Sequence, residues 1–312
     1  MPLLCYHNFM AITDVHTHGI GGYDSRTADI EHLLRIAEIH GSFGVDQIIL
    51  TVYPAGIKVM RENIAMIGKA TRIQQSGDFT LKPEFASAKY GTLDNPRPAR
   101  IMGAHVEGPF LNPSKCGSLN AMVLLDPSDY NFEQLTDGFE EIIRIITIAP
   151  ELPGAAGVIR KAADMGMAAS MGHSEATYSE AEIGHKAGAR GITHLFNAMR
   201  PYHHREPGLA GYGLINPDIY IELIADPFHL HTATLELIFR TKNRDRIIIV
   251  SDSIKETLLP AVTAGAGLTD SHGRLLGGAM PITEAVAGLS ASFDETMLMD
   301  CISANPQRYL SA

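Results

Sequence analysis

The stretch RIMGAHVEGP, residues 100–109, is a short and largely apolar run that ends on a carboxylate and a Gly-Pro turn. Seven other apolar, β-branched runs recur along the 312-residue chain, with helix-like stretches between them. Near-continuous apolar runs are typical of parallel strands that are buried on both faces. We therefore predict eight strands, at 11–16, 46–52, 100–107, 143–151, 167–174, 191–196, 219–226 and 246–252.

The segments between these runs have apolar residues at helical spacing. The clearest predicted helices are 29–41, 179–189 and 233–242. Eight β–α alternations favour a (β/α)8 TIM barrel of the α/β class, and a doubly wound open sheet is the competing architecture. We expect a single domain over residues 1–312. Segments 74–98 and 256–278 lack a clear periodicity and predict long loops.

The composition is that of a globular protein, with 45% apolar and 19% charged residues. A formal net charge of −10 argues against nucleic acid and anionic membrane surfaces as partners. Three scattered cysteines and an N-terminus without signal-peptide features lead us to expect a reducing, cytoplasmic location. The apolar runs are too short to span a bilayer.

The motif DVHTHG closes the first predicted strand. Because residues i and i+2 of a strand point to the same face, we expect His16 and His18 to project together into the barrel mouth. Neutral imidazoles are common ligands of zinc and other transition metals. Two incidental polar residues at a strand end are the alternative.

The motif HVEGP places Glu107 at the end of the third predicted strand. A buried carboxylate needs a cation or several hydrogen bonds to stay charged, and a metal ion would supply the cation. The alternative is a carboxylate that caps a turn. We expect His105 to support the site rather than to bind the ion.

Two histidines and a second carboxylate follow later strands. His173 and His194 end predicted strands 5 and 6, and Asp252 ends strand 8. One such histidine alone would favour a structural role, and Asp252 alone would suit an N-cap. Together with the earlier motifs, however, these residues cluster at the strand ends where (β/α)8 enzymes build their active sites. The set has no thiolate, which argues against a closed structural zinc site.

With these motifs the sequence resembles the N-acetylglucosamine-6-phosphate deacetylases of the amidohydrolase superfamily. The matching stretches, in family order from about residue 12 to 285, are DVHTHGIGGYD, HVEGPFLNPSKCG, IAPE, GHSEATY, THLFNAM, HREPGLAG, IADPFH and SDS. THLFNAM followed by HREPG is the most specific part, whereas HxH alone indicates only the superfamily.

The resemblance implies a role for each site residue. The implied metal ligands are Glu107, His173 and His194 for the main ion, and His16 and His18 for a second ion. Asp252 matches the general base and acid. The implied substrate-contacting positions are Ser118, Asn197, Ala198, Arg205, Asp226, His229, Leu275, Leu276 and Gly277.

The resemblance also implies a cofactor and partners. We expect one or two divalent ions, Zn²⁺ first and Fe²⁺, Mn²⁺ or Co²⁺ as alternatives. The expected small-molecule partner is an amino-sugar phosphate, and the expected assembly is a homodimer in which Arg205 reaches a phosphate in the neighbouring subunit's site. A guanidinium is a planar fork that suits phosphate, although a surface salt bridge is the alternative for Arg205.

Some positions depart from the family pattern. Leu119 stands where the family has a histidine near the reacting carbonyl, and leucine cannot donate a hydrogen bond to an oxyanion. His203 or His204 is the candidate replacement. Pro227 replaces a usual glycine, and Gly278 replaces a usual serine. We also expect no room for most of the accessory β-sandwich that family members build from both termini.

The leading hypothesis is metal-dependent hydrolysis of the acetamide of N-acetylglucosamine 6-phosphate, giving glucosamine 6-phosphate and acetate. A bound cation would lower the pKa of water from about 15.7 towards 7 and polarise the amide. Two alternatives stay open. One is a related amidohydrolase with a different acyl-amine or cyclic amide substrate, which Leu119 and Pro227 motivate. The other is a catalytically weak paralogue that binds a sugar phosphate.

Overall fold

A computed structural model describes residues 10–77, 97–259 and 267–311 of the chain. Eight parallel strands form one sheet and follow one another in chain order around it. The strands are β1 (Thr13–Thr17), β2 (Gln47–Val52), β3 (Arg100–Glu107), β4 (Ile143–Ile148), β5 (Ala168–Met171), β6 (Gly191–Ile192), β7 (Tyr220–Ile224) and β8 (Ile247–Val250). This order confirms the predicted (β/α)8 barrel over the open sheet.

The sheet closes between its first and last strands just beyond β8. Thr17 and Ser253 form a parallel bridge. The amide of Asp252 donates to the carbonyl of His16 at 2.9 Å, and the amide of His18 donates to the carbonyl of Ser253 at 2.8 Å. The closure therefore joins the segment that carries the two histidines of β1 to the turn that carries Asp252.

Each strand is followed by a helix, and two more helices complete the described chain. The helices are α1 (Ile30–Ser42), α2 (Ile57–Ser76), α3 (Asp129–Thr136), α4 (Ala155–Asp164), α5 (Tyr178–Lys186), α6 (Gly208–Ile215), α7 (Thr232–Thr241), α8 (Ile282–Leu289), α9 (Glu295–Ile302) and α10 (Ala304–Ser311). Local signals set several starts. Thr177 and Glu180 form a reciprocal capping box at α5, for example, and satisfy two free amides there. None of the helices in the described ranges is long and apolar enough to cross a membrane.

The strands divide the apolar core into two layers by their period of two. Ile48 and Leu50 of β2 pack outward with the helices, whereas Ile49 lies in a separate cluster inside the barrel. The interior cluster includes Tyr309, which comes from α10 and is completely buried. Gln307 of the same helix donates to Thr13 at the start of β1. Helix α10 thus plugs one end of the barrel, and the opposite end is left for the site.

Three predicted strands were too long, because each prediction included a candidate site residue that lies beyond the end of the strand. Predicted strand 167–174 ends at Met171 and predicted strand 191–196 ends at Ile192. The physical reason is a left-handed backbone at His173 and His194, with φ of 49° and 29°, which cannot continue a strand ladder. Strand 246–252 stops at Val250 for the same reason, because Asp252 has a φ of 46°.

The other predicted boundaries need smaller corrections. Strands 11–16, 46–52, 143–151 and 219–226 shift by one to three residues, and the three predicted helices shift by one to three residues at their ends. Predicted loop 74–98 was wrong at its start, because 74–76 complete helix α2. The described parts of 256–278 contain no helix or strand. Residues 78–96 and 260–266 lie outside the described residues.

Candidate metal centre and active site

One carboxylate and two imidazoles converge at the open end of the barrel. Glu107 is the last residue of β3, and His173 and His194 each lie two residues beyond the ends of β5 and β6. Glu107 Oε1 lies 3.0 Å from His173 Nε2 and 3.2 Å from His194 Nε2. The two Nε2 atoms lie 3.1 Å apart. Sequence reasoning predicted this convergence from strand ends alone, and the geometry confirms it.

The backbone at His173, His194 and Asp252 has an energetically costly conformation. The positive φ of His173, His194 and Asp252 costs on the order of 1–3 kcal/mol at each residue. Such strain persists only where the surrounding packing imposes it, and it concentrates at functional sites. Ala198, with a φ of 48°, lines the same cleft, and the four strained residues therefore support a functional role for this end of the barrel.

The donor set of this first group fits a transition-metal cation. Two imidazole nitrogens and a carboxylate oxygen are typical zinc ligands, and a site with three protein ligands keeps a position open for chemistry. The carbonyl of Lys115 lies 2.9 Å from His173 Nδ1, so Nδ1–H donates there and Nε2 keeps its lone pair for the cation. Burial would raise the pKa of Glu107, but His173 and its neighbours hold that pKa well below its usual range. A charged carboxylate among imidazoles is what a cation site requires.

A second group of donors adjoins the first and shares Glu107. Glu107 Oε2 lies 3.3 Å from His18 Nε2. Asp252 Oδ1 lies 3.4 Å from His16 Nε2 and 3.5 Å from His18 Nε2. Within the described residues His16 Nε2 has no hydrogen-bond partner, although it is completely buried. An unpartnered buried nitrogen facing two carboxylates fits a cation, and the second ion that the family resemblance implies here stays a prediction.

Asp252 is the residue best placed to exchange protons at this site. Burial, followed by the charges of Glu107 and Glu222, raises the pKa of Asp252 well above its ordinary value. A carboxylate with a raised pKa takes up and releases a proton nearer neutral pH, which suits a general base and acid. Asp252 also lines the cleft, as its position after strand 8 predicted, and its role as general base and acid stays a prediction.

These groups open into a cleft of about 740 Å³, including the space open to solvent. The cleft contains the candidate ligands His18, Glu107, His173 and His194 with Asp252. The predicted substrate-contacting residues that line it are Ser118, Asn197, Ala198, His229, Leu275, Leu276 and Gly277. The sequence motifs therefore converge on one cleft, although their individual contacts with substrate stay predictions.

Two predicted residues lie outside the cleft wall. Arg205 is exposed and does not line the cleft of its own chain. Asp226 is buried, and its Oδ1 accepts from His229 Nδ1 at 2.9 Å. Its Oδ2 accepts from the amide of Ala279 at 3.0 Å. Asp226 thus fixes the His229 ring and the following loop rather than facing the cavity.

Sequence reasoning missed three residues of the site. Tyr53 and Arg274 line the cleft, and Tyr53 stacks on His18 with ring centroids 3.8 Å apart. Glu222 lies inside the barrel, 3.2 Å from His16. A charge within the apolar run IYIELI was the signal for Glu222. Arg274 directly precedes the predicted stretch 275–277, but Tyr53 carries no local signal beyond its place after a strand.

No family model matches the chain. Human N-acetylglucosamine-6-phosphate deacetylase is 37% identical over 250 residues, which make up 74% of this chain and 57% of the human protein. The N-acetylglucosamine-6-phosphate deacetylase of Lysinibacillus sphaericus is 28% identical over 316 residues, covering 96% of this chain and 75% of that protein. A solved structure of a mutant of the Mycobacterium smegmatis deacetylase, in complex with N-acetyl-D-glucosamine-6-phosphate, matches with a TM-score of 0.83. It is 25% identical, with 96% of this chain and 77% of that chain covered. The chain belongs to the N-acetylglucosamine-6-phosphate deacetylase family.

The positions that depart from the family pattern lie in different surroundings, and only Leu119 of them lines the cleft. In this family member Leu119 lines the cleft, so an apolar side chain occupies that wall. The predicted replacements were wrong for the single chain, because His203 and His204 are exposed and do not line its cleft. Pro227 is also exposed. A Cβ at Gly278 would lie 1.8 Å from the carbonyl oxygen of Ser251, so this backbone path requires glycine.

Proposed function

We propose that this protein hydrolyses the acetamide of an N-acetylated amino-sugar phosphate, with N-acetylglucosamine 6-phosphate as the leading substrate. The products would be acetate and glucosamine 6-phosphate. The convergence of Glu107, His173 and His194 at 3.0–3.2 Å, with Asp252 in the same cleft, carries this proposal. The N-acetyl-D-glucosamine-6-phosphate present in the Mycobacterium smegmatis structure supports the choice of substrate.

We propose a divalent cation as the cofactor, held by Glu107, His173 and His194, with Zn²⁺ as the leading candidate and Fe²⁺, Mn²⁺ or Co²⁺ as alternatives. The mixed nitrogen and oxygen donor set supports this choice. When bound, such a cation supplies Lewis-acid chemistry by acidifying water and polarising the amide carbonyl. His16 and His18, which face Asp252, are the candidate ligands of a second ion.

The protein's own residues supply the proton transfers. Asp252, with its raised pKa, takes a proton from the attacking water and passes it to the leaving amine. His229 is held by Asp226 at 2.9 Å, so its ring is fixed where it lines the cleft. A side chain that is already held in place, such as His229, can orient a substrate without losing further conformational freedom itself.

The phosphate requires cationic groups, and two arginines are candidates. Arg274 lines the cleft and donates from Nη1 to the carbonyl of Gly117 at 3.0 Å. Arg205 is exposed, and Tyr202, three residues earlier in the chain, is 52% exposed. We propose a homodimer in which Arg205 reaches the neighbouring subunit's cleft, because the residue is turned to solvent on its own chain.

We also propose a reducing, cytoplasmic location, with Cys116 and Cys301 as free thiols.

A related amidohydrolase activity on a different acyl-amine is the second candidate function. Leu119 favours it, because an apolar wall replaces a hydrogen-bond donor beside the reacting carbonyl. A different acyl group, or an oxyanion stabilised by the cation alone, would tolerate that wall.

The test is acetate release from purified, metal-loaded protein. The panel is N-acetylglucosamine 6-phosphate, its galactosamine epimer and the unphosphorylated sugars, with Glu107→Gln as the inactive control. We expect turnover of a phosphorylated sugar at least tenfold above the unphosphorylated one. No acetate above the Glu107→Gln control would reject the deacetylase proposal. Release of a different acid from a wider N-acyl panel would then favour the second candidate.

A further inference from the structure

We propose that Glu222 is a positioning residue for His16, holding the imidazole in the tautomer whose Nε2 is free to bind a cation. This inference rests on the metal site of the proposed function and deepens it. Glu222 itself lies inside the barrel beneath the cleft and does not line it.

The position of Glu222 follows from the pleat of β7. Tyr220 and Ile224 belong to the apolar cluster inside the barrel, and Ile221 and Leu223 belong to the outer layer. Because side chains alternate along a strand, Glu222 points inward with Tyr220 and Ile224. It is 1% exposed, so the carboxylate is removed from water.

The contact between Glu222 and His16 is direct. Glu222 Oε2 lies 3.2 Å from His16 Nδ1, and both side chains are buried. When Glu222 is ionised its carboxylate only accepts hydrogen bonds, and Nδ1 then carries the proton and donates it to Glu222. Nε2 then keeps its lone pair, and it faces Asp252 Oδ1 at 3.4 Å and Glu107 Oε1 at 3.6 Å. A carboxylate behind a histidine ligand fixes the tautomer and raises its basicity.

The neighbouring histidine is oriented by a different device. His18 Nδ1 has no hydrogen-bond partner in the described part of the chain, and its ring stacks on Tyr53 at 3.8 Å and 24°. His105 packs edge-on against His16 with centroids 4.4 Å apart, while its Nε2 lies 2.7 Å from Thr147 Oγ1. A change at Glu222 therefore acts on His16 without removing the stack that holds His18.

A packing role alone would not call for glutamate at this position. Burying a carboxylate is costly unless it is paired, and Glu222 Oε1 has no hydrogen-bond partner among the described residues. Leucine would fill the space without that cost. The polar contact with His16 is the feature that accounts for the residue.

The experiment measures the cation affinity of Glu222→Gln, which keeps the side-chain size and removes the charge. Zn²⁺ binding is followed by competition with a chelator, and Co²⁺ binding by visible absorption. We expect the cation that uses His16 to bind about 10–100-fold more weakly, in line with the effect of outer-shell partners. Glu38→Gln is the control, because Glu38 is a buried carboxylate that pairs with Arg35 on α1 and should leave affinity unchanged.

A second measurement needs no variant at Glu222. Imidazole ¹⁵N NMR of the metal-free protein, with the His16 signal assigned by a His16→Asn variant, should show Nδ1 protonated and Nε2 unprotonated. A proton on Nε2, or equal cation affinity in Glu222→Gln and wild type, would overturn the proposal. If the NMR and affinity results hold but no deacetylation is found, Glu222 keeps its role and only the proposed function fails. If Glu222→Gln does not fold, Glu222→Asp keeps the charge, shortens its reach and should still weaken binding.

Discussion

Adding a single methyl group at Gly278 should displace the turn that carries Asp252. The amide of Gly278 donates to the carbonyl of Asp252 at 2.7 Å. A Cβ built there would lie 1.8 Å from the carbonyl oxygen of Ser251 and within 3.5 Å of the Asp252 carbonyl carbon. Both nearby groups are backbone, so a side-chain rotation cannot relieve the overlap. Gly278→Ala, and the family-like Gly278→Ser, must therefore move the backbone.

The magnitude follows from the size of the overlap. Contacts below about 3 Å are not tolerated, so one backbone segment has to shift by on the order of 1 Å. Overpacking of this kind costs about 1–3 kcal/mol of stability. A misplacement of about 1 Å at a reacting group costs roughly 100-fold in rate. We therefore expect a moderate loss of stability and a much larger loss of activity.

The assay compares Gly278→Ala with Gly288→Ala. Gly288 lies in α8, and a Cβ there meets open space. Urea unfolding gives the stability of each variant, and acetate release gives kcat/KM. Gly288→Ala should be neutral or stabilising by up to about 1 kcal/mol, because alanine favours the helix. Equal stability and equal kcat/KM in the two variants would refute the reasoning about the Asp252 turn.

Three further outcomes are expected. Asp252→Asn should lower kcat by roughly 100–10,000-fold, because an amide cannot exchange the proton, while the chain keeps its main cation. Full activity of this variant in a steady-state assay would exclude Asp252 as the base. Tyr309→Ala should lower the free energy of unfolding in urea by about 3–5 kcal/mol, because it removes the buried ring that fills the end of the barrel. Tyr309→Phe keeps the ring and should lower it by about 1 kcal/mol or less. Equal losses in the two variants would show that the ring does not fill this space. Burial lowers the pKa of His40 from 6.5 to about 3, so below pH 6.5 the unfolded chain binds a proton that the folded chain does not, and stability falls as pH falls. Between pH 7.5 and 5.5 the wild type should lose about 1.4 kcal/mol more than His40→Gln, and parallel losses would contradict a buried neutral His40.

The barrel could be predicted because its strands are easy to recognise as apolar runs in the sequence. Buried parallel strands such as IRIITI and RIIIV are apolar on both faces, and eight of them in alternation with helices leave few architectures. The strand ends could not be predicted. Periodicity does not reveal a left-handed residue, so nothing in MGHS or THLF indicates that His173 and His194 have left the strand. The plug formed by Tyr309 was also hidden, because it depends on a contact between the two ends of the described chain.

The site could be predicted where a residue follows a strand, since parallel strands bring their ends to one face. This logic placed Glu107, His173, His194 and Asp252 together. It could not find Glu222, which acts from within a strand, because an isolated charge in an apolar run has no partner in the sequence. Only the three-dimensional contact with a histidine about two hundred residues earlier gives that charge a role.

The most direct test of the account is the metal content of the protein after dialysis against trace Zn²⁺, measured by inductively coupled plasma mass spectrometry. We predict at least one ion per wild-type chain and its loss in both Glu107→Gln and His194→Asn. His229→Asn is the matched control, because His229 lines the same cleft but belongs to none of the candidate ligand groups in the described residues. It should retain the ion. Equal Zn²⁺ content in wild type, Glu107→Gln and His194→Asn would contradict the claim that these residues form the metal centre.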